Sequence, residues 1–489
     1  MPFLIEHVTE VVLSLLIALL LANGFVVGLT IARRQWREKY FRRLDQFREL
    51  YTPVINALLS GGLDYAQGLQ ALREISGLDR EHFLERLCLE KHPTPAQVPI
   101  LRQLCEDLGL VKLWQRHLMG QFDVTTLRAA LARPEGIFQL ISRLHFLLRA
   151  KSADNLGLIR HQPSWPLLLK ALADPHLDVQ TAALRSLAAI QEPQSFSSLV
   201  ERLHEVILKP STRLSLRAVK SALVSFPLSQ ATELLPSLRH SLPRIRFLAT
   251  DIIREMVERE AGSEEDFVLD PKIFPAELTG IFLTRLGFDD NPDVRARAAP
   301  VVARLADRRS VPLLLTLLSD PQWFVRLHTL RSLAEPRYLS EAAEIARHLT
   351  DANWMVREAA VRTLLRFGQA GINQLYDHFL ESEDRYSQEQ IADEAQRAGL
   401  IPNLLTQYAE ASDGKERQVI ERLVQMRKTS YLVTLLIRSS DNKLRKKFLE
   451  HFGHTLDPQI QIWIRHLTRR ETDPELRALA LGCVTAAAS

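Results

Sequence analysis

Between Asp289 and Arg357 the chain copies itself every 31 positions: Asp289 with Val294 and Arg295, Asp320 with Val325 and Arg326, Asp351 with Val356 and Arg357. A unit this short has too little apolar surface to close a core alone, so such units bury their faces against one another in a row. A stacked chain grows without limit. Its 489 residues therefore do not demand the roughly three separate globular cores that length alone would suggest. The unit itself reads as helical, because Leu, Ala, Arg and Glu dominate, only 19 Gly are present, and no stretch alternates Val, Ile and Thr as half-buried strands do.

A second, longer copy supports internal repetition. Pro166 to Asp174 and Pro175 mirrors Pro312 to Asp320 and Pro321, and Leu184-Arg185-Ser186-Leu187-Ala188 recurs as Leu330-Arg331-Ser332-Leu333-Ala334, again 146 residues on. Both helices of one unit are thus repeated, and Trp165 marks the clearest start of the array. Weaker copies centre on Leu216-Arg217, Ile245-Arg246, Leu444-Arg445 and Leu476-Arg477, with a poorly patterned gap near 382–407.

This pattern, a Pro opening the first helix, an Asp eight residues later and Val-Arg five and six after the Asp, resembles the HEAT-repeat family, especially its bacterial, membrane-anchored forms. Pro312, Asp320, Val325 and Arg326 fit it fully, and Pro166, Asp174 and Val179 fit with Gln180 in place of the Arg. The resemblance implies a right-handed α-solenoid of helical pairs. It also implies a hydrogen-bonded ladder between repeats, which here would use Asp289, Asp320 and Asp351 with Arg295, Arg326 and Arg357. The pattern has physical sense: Pro suits a first turn, where its missing N–H would have gone unpaired, and the Asp can accept from free N–H groups at the start of the second helix. Val325, Thr329, Leu330 and Leu333, with counterparts Val356, Ala360, Val361 and Leu364, share one helical face.

Residues 11–31 carry no charge and one strongly polar side chain, Asn23. At about 1.5 Å per residue this run is long enough to cross a hydrocarbon layer of about 30 Å. No Lys or Arg precedes it and six lie between Arg33 and Arg43, which orients the large C-terminal part toward the cytoplasm. A cleaved signal peptide would carry a positive leader, whereas this one carries Glu6 and Glu10. Gly24 and Gly28 offer a small-residue face on which another membrane helix, including a second copy, could pack. Beyond the span, Trp36, Tyr40, Leu44, Phe47 and Tyr51 form an apolar stripe beside Arg33, Arg34, Arg37, Arg42 and Arg43. That stripe suits either a membrane surface or the first soluble helices. The expected organisation is a short extracytoplasmic N-terminus (1–10), a membrane helix (11–31), a basic and aromatic juxtamembrane helix (32–60), an N-terminal helical module (61–160) and the repeat array (161–489).

Chemistry-bearing motifs are missing from the sequence. There is no Gly-rich phosphate loop, nucleophile elbow or paired-His zinc helix, and Cys88, Cys105 and Cys483 lack metal or redox spacing. His451 and His454 have no third ligand nearby. No cofactor and no metal is expected. Outside the first 60 residues the charge is 55 basic against 53 acidic, which gives nucleic acid no global attraction. Local features remain open to two readings each. Trp323 and Trp354 recur at one repeat position and suit a binding hot spot or inter-repeat packing. Lys443, Arg445, Lys446 and Lys447 with Arg465, Arg469 and Arg470 form a basic region, either a docking surface or a solvated face. The acidic stretch 258–270 reads as a surface loop.

A non-catalytic scaffold tethered to a bacterial inner membrane, N-terminus out and array in the cytoplasm, follows as the expected function, with a protein as its partner. Similarity to bacterial anchored HEAT proteins adds a membrane-embedded polysaccharide glycosyltransferase as a candidate partner. The alternatives are a HEAT-like enzyme, such as a chromophore lyase, and a nucleic-acid binder acting through the basic C-terminal repeats.

Overall fold

A computed structural model describes residues 2–74, 93–121, 145–209, 214–262, 267–410 and 414–488. The described residues are all-helical apart from one isolated bridge, Leu269 to Leu305. They divide into two compact units, Met1–Leu234 and Leu235–Ser489.

The first unit runs α1 (Pro2–Leu59), α2 (Tyr65–Arg73), α3 (Val98–Asp107), α4 (Leu110–Leu118), α5 (His145–Leu158), α6 (Trp165–Ala171), α7 (Leu177–Ile190), α8 (Pro193–Leu208) and α9 (Leu216–Val224). Helix α1 has two characters. Within Val12–Lys39 an 18-residue window reaches mean hydropathy 2.5 with none of that window buried, so this is a helix long and apolar enough to cross a membrane. The expected membrane and juxtamembrane segments are continuous, one helix of 58 residues that begins at Pro2. At its other end Ile55 and Leu58 are buried against α2. There Gly68 lies close under Leu58, whose side chain would have to shift to admit a Cβ, 2.1 Å from its Cδ1.

The segment ahead of Trp165 is bound into this unit. Trp114 is fully buried, Arg102 Nε donates to Ile159 O at 3.0 Å, and Gln115 donates to Ser164 Oγ at 2.9 Å. Helices α5 and α7 cross closely because Gly157 faces Ser186, where a Cβ would meet Ser186 Cα at 2.6 Å. Ser186 Oγ donates to Ala153 O across the crossing at 2.7 Å.

The second unit runs α10 (Leu235–Leu238), α11 (Pro243–Ala261), α12 (Ala276–Thr284), α13 (Pro292–Val302), α14 (Ser310–Leu318), α15 (Trp323–Ser332), α16 (Ala342–Ala346), α17 (Trp354–Arg366), α18 (Gln369–Glu381), α19 (Arg385–Arg397), α20 (Leu400–Glu410), α21 (Lys415–Gln425), α22 (Ser430–Arg438), α23 (Asn442–Phe452), α24 (Pro458–Arg470) and α25 (Pro474–Ala488). Within each repeat a first helix is followed by a turn and a second helix. The second helices α11, α13, α15, α17 and α19 stack in sequence order. Val294, Val325 and Val356 are each fully buried in that stack, as are Thr329, Leu330, Leu333, Ala360 and Leu364. The acidic stretch 258–270 is only partly a loop: Glu258 to Ala261 complete α11, and buried Leu269 donates its N–H to Arg304 O at 2.8 Å. Residues 263–266 lie outside the described residues.

Candidate partner-binding edge

The turn between the two helices of a repeat is built by its Asp. The Asp289 carboxylate accepts from Asn291 N–H, Asp320 from Gln322 N–H and Asp351 from Asn353 N–H, each at 2.9 Å. The Asp therefore bonds to the residue just before the second helix, and the free N–H groups of the helix itself go elsewhere. Asn291 accepts from Asp293 N–H at 2.9 Å and Asn353 from Met355 N–H at 2.9 Å, standard N-caps.

The second oxygen pattern of these aspartates serves the neighbouring repeat. Arg295 grips Asp320 with Nε at 2.7 Å and Nη2 at 3.0 Å while its Nη1 donates to Asp289 O, in its own turn, at 2.7 Å. Arg326 does the same with Asp351, at 2.7 and 2.8 Å, and with Asp320 O at 2.7 Å. Each arginine thus closes its own turn and clamps the next, the bidentate geometry that guanidinium and carboxylate favour. Burial opposes ionisation of Asp351, yet Arg326, the Asn353 N–H and His348 outweigh it and hold the carboxyl below its ordinary value. The Arg326 guanidinium is correspondingly raised by its bond to Asp351.

Two further rungs have weak sequence signatures. Arg246 holds Asp289 at 2.7 and 2.8 Å across 43 residues, a span lengthened by the stretch after α11. In the first unit Arg149 holds Asp174 at 2.7 and 3.0 Å. Arg357 differs from the arginines before it. Its Nη1 donates to Asp351 O at 2.6 Å, but its buried Nε has no partner among the described residues, because Ser382 stands where the next Asp would be.

Trp323 and Trp354 are the first residues of α15 and α17. They are 37% and 55% exposed, whereas Val325 and Val356, two residues on, are fully buried. The valines are wholly inside the stack, and the indoles are partly covered, Trp323 more than Trp354. Trp323 packs edge-on against Phe324 at 5.9 Å. Two exposed aromatics join them at turns of the same kind: Phe288, 59% exposed, just before Asp289, and Tyr386, 71% exposed, in the first turn of α19. The 31-residue register of the tryptophans falls instead on Pro292 and Arg385, so the period does not find these two aromatics; only their exposure at the turns does. The result is an aromatic series along the turns of four repeats, the type of side chain that carries most contact energy in interfaces.

The remaining sequence candidates fall elsewhere. Gly24 and Gly28 lie in α1, with open space where a Cβ would be. Arg34, Arg37 and Arg42 are exposed on the same helix, and Arg34 pairs with Glu38 at 3.2 Å. Arg33, Trp36 and Arg43 are part of α1, and their side chains lie outside the described residues. His451 is engaged by Tyr408 Oη at 2.7 Å, and no His, Cys, Asp and Glu group among the described residues could hold a metal. The basic C-terminal region divides: Arg445 pairs with Glu471 and Lys446 with Glu475, while Arg465, Arg469 and Arg470 lie exposed along α24.

A family model described as HEAT repeats matches residues 134–206 and 281–364, one stretch in each unit, and its first match begins upstream of Trp165. No curated protein matches the chain. Among solved structures, importin beta is similar at 12% identity over 92% of this chain and 71% of that one, with a TM-score of 0.32. An engineered protein is similar at 17% identity over 70% and 96%, with a TM-score of 0.31. Human deoxyhypusine hydroxylase is similar at 18% identity over 60% and 96%, with a TM-score of 0.21.

Proposed function

We propose that this chain of HEAT repeats is a membrane-tethered, non-catalytic scaffold that receives a protein partner on the aromatic turn edge of its second unit. The observation that carries the reading is the exposure of Trp323 and Trp354 beside fully buried Val325 and Val356: large rigid aromatics kept out of the core are costly to leave in water unless something covers them. The tether is α1, spanning at about 11–31, with 32–60 as its cytoplasmic continuation, 61–160 as a joining module and the array after it. The arginines between Arg33 and Arg43 support a cytoplasmic array on a bacterial inner membrane. A membrane-embedded polysaccharide glycosyltransferase is the partner suggested by similarity to bacterial anchored HEAT proteins, and the small-residue face at Gly24 and Gly28 gives such a partner, or a second copy, a place to pack.

Affinity purification of the full chain in mild detergent, compared with the Trp323→Ala/Trp354→Ala variant, tests the reading. The expected result is a stoichiometric companion that the double variant loses by tenfold or more while its unfolding midpoint stays put. Retention of the companion by the variant, or a companion lost together with the fold, would remove the edge from consideration.

A further inference from the structure

A second surface of the second unit lies further along the array, on first helices near its C-terminal end. Helices α22 and α24 are the first helices of adjacent repeats and pack on each other. Neither contains an Asp or Glu anywhere in its length, and the neighbouring α20 carries only Glu410, its last residue. In a chain with 58 acidic against 62 basic residues, such a field is one-sided.

The bases on it are unneutralised. Arg465, His466, Arg469 and Arg470 project from α24 with Ile462 at spacings of three, four, seven and eight, and these five side chains line one surface depression. Arg465 Nε reaches only Gln461 O of its own helix, at 3.3 Å. Arg438, at the end of α22, is exposed too. None of these four arginines pairs with a carboxylate among the described residues, whereas Arg445 and Lys446 on α23 both do. Two large apolar residues stand among them, Ile437 at 48% and Ile462 at 52% exposure. Aligning the two repeats on Ser439 and Glu471, the residues six before Arg445 and Arg477, places Ile437 beside Arg469 and Arg438 beside Arg470.

We propose that this α22–α24 face binds the surface of an anionic lipid bilayer, the arginines meeting phosphate headgroups and Ile437 and Ile462 entering the boundary beneath them. Charge without acids and isolated exposed aliphatics are what an interfacial site needs, and a folded nucleic-acid groove would favour aromatic over aliphatic contacts. The inference rests on the tether proposed above, which holds the face near a bilayer at high effective concentration and lets a modest affinity suffice.

The test uses the full chain with Ile462→Cys labelled by bimane, the signal of the unsubstituted chain being subtracted; Cys105 and Cys483 are buried. It is reconstituted in vesicles of phosphatidylcholine alone or with phosphatidylglycerol, each carrying a doxyl-labelled lipid quencher. Quenching at least twofold stronger with phosphatidylglycerol, reversed by high salt, is expected. Because each arginine near an anionic surface strengthens association about fivefold, Arg465→Glu/Arg469→Glu/Arg470→Glu abolishes the quenching with unchanged circular dichroism. The corresponding Lys triple retains it.

Equal fluorescence in both vesicle types overturns the proposal. So does quenching-independent shielding of the label by an RNA oligonucleotide or a poly-glutamate peptide that phosphatidylglycerol does not reproduce, which assigns the face to a different polyanion. Extraction with alkaline carbonate separates the two readings. A chain stripped from vesicles fails as a tether whatever the label reports, and a chain that resists stripping but stays unquenched fails only here.

Discussion

The repeats at 351–366 and 382–397 sit in successive places of one stack and differ at three side chains that the stack depends on. Asp351, Val356 and Arg357 are answered by Ser382, Ser387 and Gln388. Gln388 Nε2 still donates to Ser382 O, as Arg357 does to Asp351 O. Gln180 with Asp174 O at 2.6 Å and Gln461 with Thr455 O at 2.7 Å repeat the arrangement. The comparison separates two jobs that arginine performs together. Closing its own turn needs one N–H and survives as glutamine; clamping the next repeat needs the guanidinium fork and a carboxylate opposite, and is lost with either. At the break the cost is visible as orphaned polar atoms, Arg357 Nε and the Oγ of Ser387, which is only 1% exposed.

The contrast is sharpest when the regular stretch is broken. Asp320→Ala removes the carboxylate gripped by Arg295 and leaves a mostly buried guanidinium unpaired, so a loss of about 3 kcal/mol is expected, read by urea unfolding of the full chain in detergent. The opposite substitutions repair the irregular stretch. Ser387→Val replaces a buried unsatisfied hydroxyl with the side chain found at Val325 and Val356 and adds about 2 kcal/mol; a lower midpoint would mean that the site is too small for the methyl groups. Ser382→Asp supplies the missing rung for Arg357. The nearby Glu381, Glu383 and Asp384 cut the gain to about 1 kcal/mol, and amide exchange in α17 and α19 should slow accordingly.

The smallest effect is one of pH and is largest in the regular stretch. Burial, then Arg297, Arg331 and Arg254, push His328 in α15 from its ordinary 6.5 down to about 4. The unfolded chain therefore binds this proton first, and stability is present above 6.5 and lost progressively as pH falls toward 4. Amide exchange in α15 should quicken across that window and His328→Gln should flatten the response. Asp351 contributes a separate loss at lower pH, because its depressed carboxyl protonates only below its ordinary 3.8.

Much of this was legible from residues alone. Asp, Val and Arg at fixed offsets mark a helix pair because turn closure and the first buried position are local requirements, met within seven residues. The identities of the rungs were less legible. Arg295 and Asp320 are 25 residues apart in a run without insertions, so the period brings them together; Arg246 and Asp289 are 43 apart, and no periodicity links them. The basic C-terminal region looked uniform in sequence, yet on α23 Arg445 and Lys446 meet Glu471 and Glu475 and Lys447 meets Tyr408, while the arginines on α24 meet no carboxylate among the described residues.

What the amino-acid order determined unaided is everything set by neighbours along the chain: helices, turns, repeat length and one run apolar enough for a bilayer. Only the tertiary structure decided which of two equivalent-looking side chains meets a partner and which meets solvent. Trp323 and Val325 are two residues apart and both apolar, but they leave the helix start in different directions, Val325 wholly into the stack and Trp323 only partly covered. Burial depends on what the next repeat brings up against each direction, and that is fixed by packing between units, not by the residues themselves.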